Sequence, residues 1–260
     1  MKKLLFVAVL LPAIALAAES PFTGTWKIDL GKIQFAATPE TWVLQNGRYQ
    51  CSTCDPKIDV KADGADQPVQ GSKYIDTTAV KIVDDKTVEQ TNKKGGKVVE
   101  TMKCVVSADG KTVTIDFIDY PQGSKQPVTG KGLMTRVAPG PAGSHAFSGS
   151  WRPAKLDSAS ENALMITYKA SADGLMMSSP TGESYDAKFD GRDYPVKGDP
   201  GGSLVSLKKA NEYSIEETTK RDGKVVMVNL MTVSADGKTL TVKSENKERG
   251  GTSTFVAVKQ

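Results

Sequence analysis

The chain repeats itself, and the length of the repeat limits what it can fold into. Phe22-Thr23-Gly24-Thr25-Trp26-Lys27 returns 125 residues later as Phe147-Ser148-Gly149-Ser150-Trp151-Arg152. Val106-Ser107-Ala108-Asp109-Gly110-Lys111 returns 127 residues later as Val233-Ser234-Ala235-Asp236-Gly237-Lys238. Between these anchors, Lys61-Ala62-Asp63-Gly64 with Pro68-Val69-Gln70-Gly71 matches Lys188-Phe189-Asp190-Gly191 with Pro195-Val196-Lys197-Gly198, again at 127. Solenoid units recur every ~20–50 residues, so a period more than twice as long marks a duplicated domain. The expected domains are 18–137 and 147–260. The stretch between them, 138–146, begins Ala138-Pro139-Gly140-Pro141 and has no apolar periodicity, as in a short semi-rigid linker.

Each half reads as strands joined by tight turns. Thr112-Val113-Thr114-Ile115-Asp116-Phe117 alternates with period two and places Val113, Ile115 and Phe117 on one buried face, which Leu240 and Val242 repeat. Thr41 to Leu44, Lys97 to Val106 and Asn211 to Thr219 are rich in residues that favour strands, and only Asp157 to Asn162 reads as helical. Turn dipeptides recur at Asn46-Gly47, Asp63-Gly64, Gly95-Gly96, Asp109-Gly110, Asp173-Gly174, Asp190-Gly191, Asp222-Gly223 and Asp236-Gly237, each able to supply the positive φ of a two-residue hairpin loop. The expectation is an all-β chain: two tandem antiparallel up-and-down barrels of about eight strands each, closed because closure removes exposed edges.

The first 17 residues have the layout of a removable export signal. Met1-Lys2-Lys3 is a positive head, Leu4 to Leu16 an apolar run broken by Pro12, and Ala15-Leu16-Ala17 a small-x-small cleavage site. The run falls short of the ~20 apolar residues a spanning helix requires, and no later stretch approaches that length. The expected product is exported, periplasmic or extracellular, without a membrane span. The 34 basic and 30 acidic residues are too evenly matched for an electrostatic nucleic-acid binder, the more so as Lys2 and Lys3 lie in the leader.

Gly24-Thr25-Trp26 and Gly149-Ser150-Trp151, each opening the first strand of a meander, resemble the Gly-x-Trp motif of lipocalins and wider calycin barrels. The resemblance implies that each Trp closes one end of a barrel and that a basic side chain from the last strand lies over it. Arg136 and Lys259 stand at the matching ends of the two halves. The duplicated halves also resemble secreted bacterial proteins of unassigned role, so the likeness speaks to fold more than to function.

Several chemistries lack their residues. The single histidine, His145, falls at the end of the linker, where a solvated imidazole is expected rather than the base of a nucleophilic triad. Cys51, Cys54 and Cys104 with one distant histidine do not give zinc-ligand spacing, and no EF-hand, Walker or dinucleotide motif occurs. No catalytic residue, cofactor or metal is therefore assigned. Paired carboxylates remain open, because only their separation in space defines them.

Cys51-Ser52-Thr53-Cys54 lacks the following helix that activates a redox Cys-x-x-C, and an exported chain favours a disulfide. Three single bridges are possible. Chain entropy favours a bridge to Cys104, about 4 against about 2 kcal/mol for the short loop. However, Cys104 alternates with Met102 and Val106 and aligns with Met231, a buried apolar position, so Cys51–Cys54 is the expected pair.

The functional expectation is an exported non-catalytic binding protein with a small hydrophobic ligand in one or both barrels. The alternatives are a structural or interaction module of the cell envelope, whose protein or glycan partner is unknown, and a thiol-disulfide or carboxylate-based enzyme.

Overall fold

The computed structural model describes residues 20–260, so the expected export signal lies outside the described residues. The first half supplies β1 (Gly24–Ile28), β2 (Glu40–Gln45), β3 (Arg48–Cys51), β4 (Ile58–Lys61), β5 (Gln67–Pro68), β6 (Thr77–Ile82), β7 (Thr87–Lys94), β8 (Lys97–Val106), β9 (Thr112–Asp119) and β10 (Val128–Pro139). The second half supplies β11 (Gly149–Ala159), β12 (Met165–Ala170), β13 (Gly174–Ser178), β14 (Ser184–Lys188), β15 (Tyr194–Pro195), β16 (Leu204–Asn211), β17 (Ser214–Arg221), β18 (Lys224–Val233), β19 (Thr239–Asn246) and β20 (Thr252–Lys259). A 3-10 turn spans Leu30–Lys32 and a short helix α1 spans Glu161–Leu164.

The chain is all-β, and its strands form two nearly closed antiparallel barrels. Each barrel has ten strands rather than about eight, because short segments such as β5 and β15 pair at the closing seams. The seams are completed by single bridges, Asp63 with Lys81 in the first barrel and Ser184 with Lys197 in the second.

The strand order departs from the order of the repeat. The first barrel runs β4-β3-β2-β11-β10-β9-β8-β7-β6-β5 and the second β14-β13-β12-β1-β20-β19-β18-β17-β16-β15. The opening strand of each sequence repeat thus sits in the other barrel: β1 pairs with β12 and β20, and β11 with β10 and β2. A division into 18–137 and 147–260 therefore describes the duplication but not the sheets. The expected linker is also corrected. Ala138 and Pro139 belong to β10, and the rest of 138–146 helps to join β10 to β11 within one barrel. The chain crosses between barrels at 29–39 and at 160–164, where Lys27 and Glu161 form an ion pair of 2.8 Å. The first barrel is contiguous from β2 to β11, and it is inserted between the first and second strands of the other.

The cores follow this exchange. Phe147 and Trp151 pack with Leu44, Val80, Val106 and Val113 in the first barrel, whereas Phe22 and Trp26 pack with Leu175, Leu207, Met231 and Leu240 in the second. Val113, Leu240 and Val242 are buried as their alternation requires, while Ile115 and Phe117 are only half-buried toward the open end of β9. Three of the turn dipeptides form hairpin loops with positive φ at both residues: Asn46-Gly47, Gly95-Gly96 and Asp222-Gly223. In the others only the glycine turns over or, at Asp173-Gly174, neither residue does. Asn211 to Thr219 is not one strand but spans the turn between β16 and β17. Asp157 to Asn162 is divided: Asp157 to Ala159 continue the strand paired with β10, and the helix is confined to Glu161–Leu164.

Candidate functional site

One end of each barrel is plugged by its Gly-x-Trp strand. The Trp151 indole N–H donates to Phe147 O at 2.9 Å, and the Trp26 indole donates to Phe22 O at the same distance. Both rings are fully buried. The basic residues cover the tryptophans across the repeat, not within it. The Arg136 guanidinium lies 3.9 Å from the Trp151 ring centroid, and Lys259 Nζ lies 5.1 Å from that of Trp26. Arg136 also donates to the carbonyls of Gly110, Ser148 and Ala146 at 2.5–2.6 Å, whereas Lys259 Nζ donates to Pro21 O at 3.2 Å. The glycine of the motif has a physical reason: a Cβ on Gly149 would meet Arg136 and the Ala138 carbonyl, and one on Gly24 would meet the Lys259 chain.

Cys51 and Cys54 are bridged, with Cα atoms 5.4 Å apart, and Cys104 is free and buried. Burial, aided by the Glu100 charge, pushes the Cys104 thiol up to about 12. At neutral pH it is held as a thiol and is a poor nucleophile toward the bridge. Cys51 is in the core, and its partner Cys54 lies on the rim of a cavity inside the first barrel.

That cavity is about 350 Å³ and opens opposite the plugged end, between the disulfide loop and the loop carrying Tyr74. Trp42, Tyr49, Ile58, Met102, Ile115 and Phe147 form its apolar lining, with Trp42 stacked on Phe147 at 4.8 Å between centroids. Its polar lining is Gln90, Asn92 and Glu100. The Asn92 amide donates to Glu100, and the Gln90 amide is shared by Thr78 Oγ1 and Asn92 Oδ1, both at 3.1 Å. Burial raises the Glu100 carboxyl above its ordinary range. Directly across the β8–β9 pair stands Asp119, whose carboxyl burial and the Glu100 charge push up to about 6. Sequence reasoning placed Met102, Cys104 and Val106 on the inward face of β8; continuing the same alternation two residues back reaches Glu100.

The second barrel has a smaller cavity, about 260 Å³, and its carboxylate Glu217 accepts from Tyr185 Oη and from the Asn229 amide. Unlike the first, it is lined by a cation, Arg221. The open ends of the barrels face a shared cleft of about 360 Å³. Tyr74 reaches across from the first barrel and donates to Asp199 at 3.0 Å, with Arg221 5.3 Å from its ring centroid, while Lys73 pairs with Asp222 at 2.6 Å. Burial and Asp199 push the Tyr74 phenol up to about 12.

His145 is not a loose linker imidazole. Its Nδ1 accepts from the Phe147 N–H at 3.1 Å and its Nε2 contacts the Asp84 carbonyl at 2.7 Å, which makes Nε2 the protonated nitrogen and ties 140–148 to the β6–β7 turn. The imidazole is bonded to the backbone of Phe147, a lining residue, but does not itself line the cavity. Among the described residues no three His, Cys, Asp or Glu side chains gather as metal ligands, and no helix is long and apolar enough to cross a membrane.

The fold and these sites define a class: a tandem β-barrel protein with exchanged Gly-x-Trp strands and a cavity in each barrel. No protein-family model and no curated protein matches the chain.

Proposed function

We propose that this is an exported, non-catalytic binding protein that holds a small ligand with an apolar body inside the first barrel. The cavity of about 350 Å³ carries the reading. Ligand pockets run from about 300 to 1,000 Å³ and combine apolar walls with a few convergent polar groups, and Gln90, Asn92 and Glu100 supply such a set at one side of an aromatic wall. The Cys51–Cys54 bridge supports export, since disulfides persist in oxidising compartments. The buried Gly-x-Trp strands under Arg136 and Lys259 support a likeness to lipocalin barrels.

The test is a titration followed by tryptophan fluorescence, because Trp42 lines the cavity. Small aryl-alkyl compounds should quench or shift the emission saturably. Ile115→Phe, which adds bulk to the cavity wall, should weaken the response while the folded spectrum persists. A response unchanged in strength in this variant would overturn the proposal.

A further inference from the structure

We infer that the ligand of the first barrel is a small organic cation, an ammonium group on an apolar body, with Glu100 as its counter-charge; this rests on the binding function proposed above. The argument starts from what the cavity lacks. The chain has 34 basic residues, yet among the described residues no Lys, Arg or His lines either this cavity or the adjoining cleft. Tyr74, Ile75 and Glu100 line both spaces, which places Glu100 where the barrel interior meets the cleft.

Glu100 has one hydrogen-bond partner, the neutral Asn92 amide, and takes part in no ion pair. Its cross-strand neighbour Asp119 is another unpaired carboxylate, and like charges placed directly opposite on a sheet repel. Burying a carboxylate without a cation costs free energy, and both groups answer by holding their protons more tightly than usual. A cation entering the cavity would answer Glu100 and thereby relieve its repulsion with Asp119, which lines the cleft. Trp42, Tyr49 and Phe147 supply aromatic faces that attract an ammonium group as well as its apolar body.

The second barrel is the internal control. Its carboxylates Glu183, Asp199 and Glu217 share their cavity with Arg221, a cation built into the chain. The residue at the Arg221 position of the first repeat is Lys94, and its Nζ is turned to the Ser72 carbonyl at 3.3 Å instead. Arg221 itself lines neither the first cavity nor the cleft; it stands 5.3 Å from the Tyr74 ring centroid and faces Glu248 at 3.7 Å. Of the other carboxylates in the first cavity, Glu40 is already answered by Arg249 at 3.1 Å, and Asp55 belongs to the rim. Glu100 is thus the interior carboxylate left for a ligand.

The experiment compares phenylpropylamine, phenylpropanol and phenylpropionate, matched in shape and differing in charge, by calorimetric titration of the intact protein. The amine should bind about tenfold more tightly than the alcohol, and the carboxylate more weakly than either. Glu100→Gln, which keeps the shape of the side chain, should remove the preference for the amine and leave the alcohol's affinity within about twofold. Equal binding of amine and alcohol by the unaltered protein, or a preference that survives Glu100→Gln, would overturn the cationic assignment and leave the binding function standing. If none of the three binds, and none shifts the emission of Trp42, both fall.

Discussion

Lys259 covers the ring of Trp26, with Nζ 5.1 Å from its centroid, although the two residues stand at opposite ends of the described chain. The contact is the visible end of the strand exchange: β1 closes the barrel that β20 completes, and the whole first barrel is inserted between β1 and β12.

Contiguity makes the first barrel separable. A fragment of residues 36–162 carries every strand of that sheet and both core tryptophans, Trp42 and Trp151, so it should fold cooperatively alone. Deleting residues 20–29 from the whole chain should loosen the second barrel, leaving β12 and β20 without their shared neighbour. Amide spectra check both outcomes. The deletion should spare resonances from 40–159 and broaden those from 165–259.

The two covers over the tryptophans are unequal. Replacing Arg136 with Met removes donors from three carbonyls as well as a cation over Trp151, and should cost about 2–4 kcal/mol. Lys259→Met removes one longer hydrogen bond and a more distant cation, and should cost about 1 kcal/mol. Urea unfolding of each variant measures the difference.

The motif glycines should follow the same ranking. Gly149 has φ of +143° and a Cβ there would meet the Ala138 carbonyl, which is backbone and cannot yield, so Gly149→Ala should destabilise by about 2–3 kcal/mol. Gly24 has φ of +139°, but its obstacle is the flexible Lys259 chain, so Gly24→Ala should cost about 1–2 kcal/mol. Equal losses in chemical denaturation would show that conformation, not crowding, sets the cost.

Asp119 gives a pH dependence of defined sign. Its folded value of about 6 lies above its ordinary 3.8, so the folded state holds this proton more tightly than the unfolded chain. The resulting stabilisation is complete below about pH 4 and is lost as pH rises through 6. Asp119→Asn should therefore be more stable than the unaltered protein at pH 8, by about 1 kcal/mol after allowance for partial exposure, and equal to it near pH 4. Thermal melts at the two pH values measure the gain.

The disulfide closes a four-residue loop, so replacing Cys51 and Cys54 with serine should cost about 2 kcal/mol. Ser178 and Thr181 occupy the matching positions, and the second barrel closes without a bridge. The loss should therefore fall on the first barrel alone, visible as a lowered transition for residues 40–159 in hydrogen exchange.

Local rules carried much of the fold into the sequence. The alternation of Val113 and Ile115, the Asn46-Gly47 and Asp222-Gly223 turns and the two Gly-x-Trp strands depend on neighbours a few residues away. The short pairing segments at β5 and β15 were not readable, because two residues make no period. Cys51–Cys54 was readable since the alternation of β8 buries Cys104. The cavity was only half readable. Glu100 lies on the face that Met102 and Cys104 announce, but Tyr74 sits in a loop, and nothing local shows that it reaches the other barrel.

What the sequence determined by itself was that an antiparallel β unit had been copied and that each copy opens on a tryptophan strand. Which copy each tryptophan strand completes was decided by tertiary structure. The two strands open on the same Gly-x-Trp pattern, so the motif by itself does not say which barrel each one completes. The choice falls to the connections, which join β10 to β11 by a hairpin and carry the chain across at 29–39 and 160–164. The empty charge balance around Glu100 was decided there too, since the distance between a carboxylate and the nearest cation exists only once the sheet has closed.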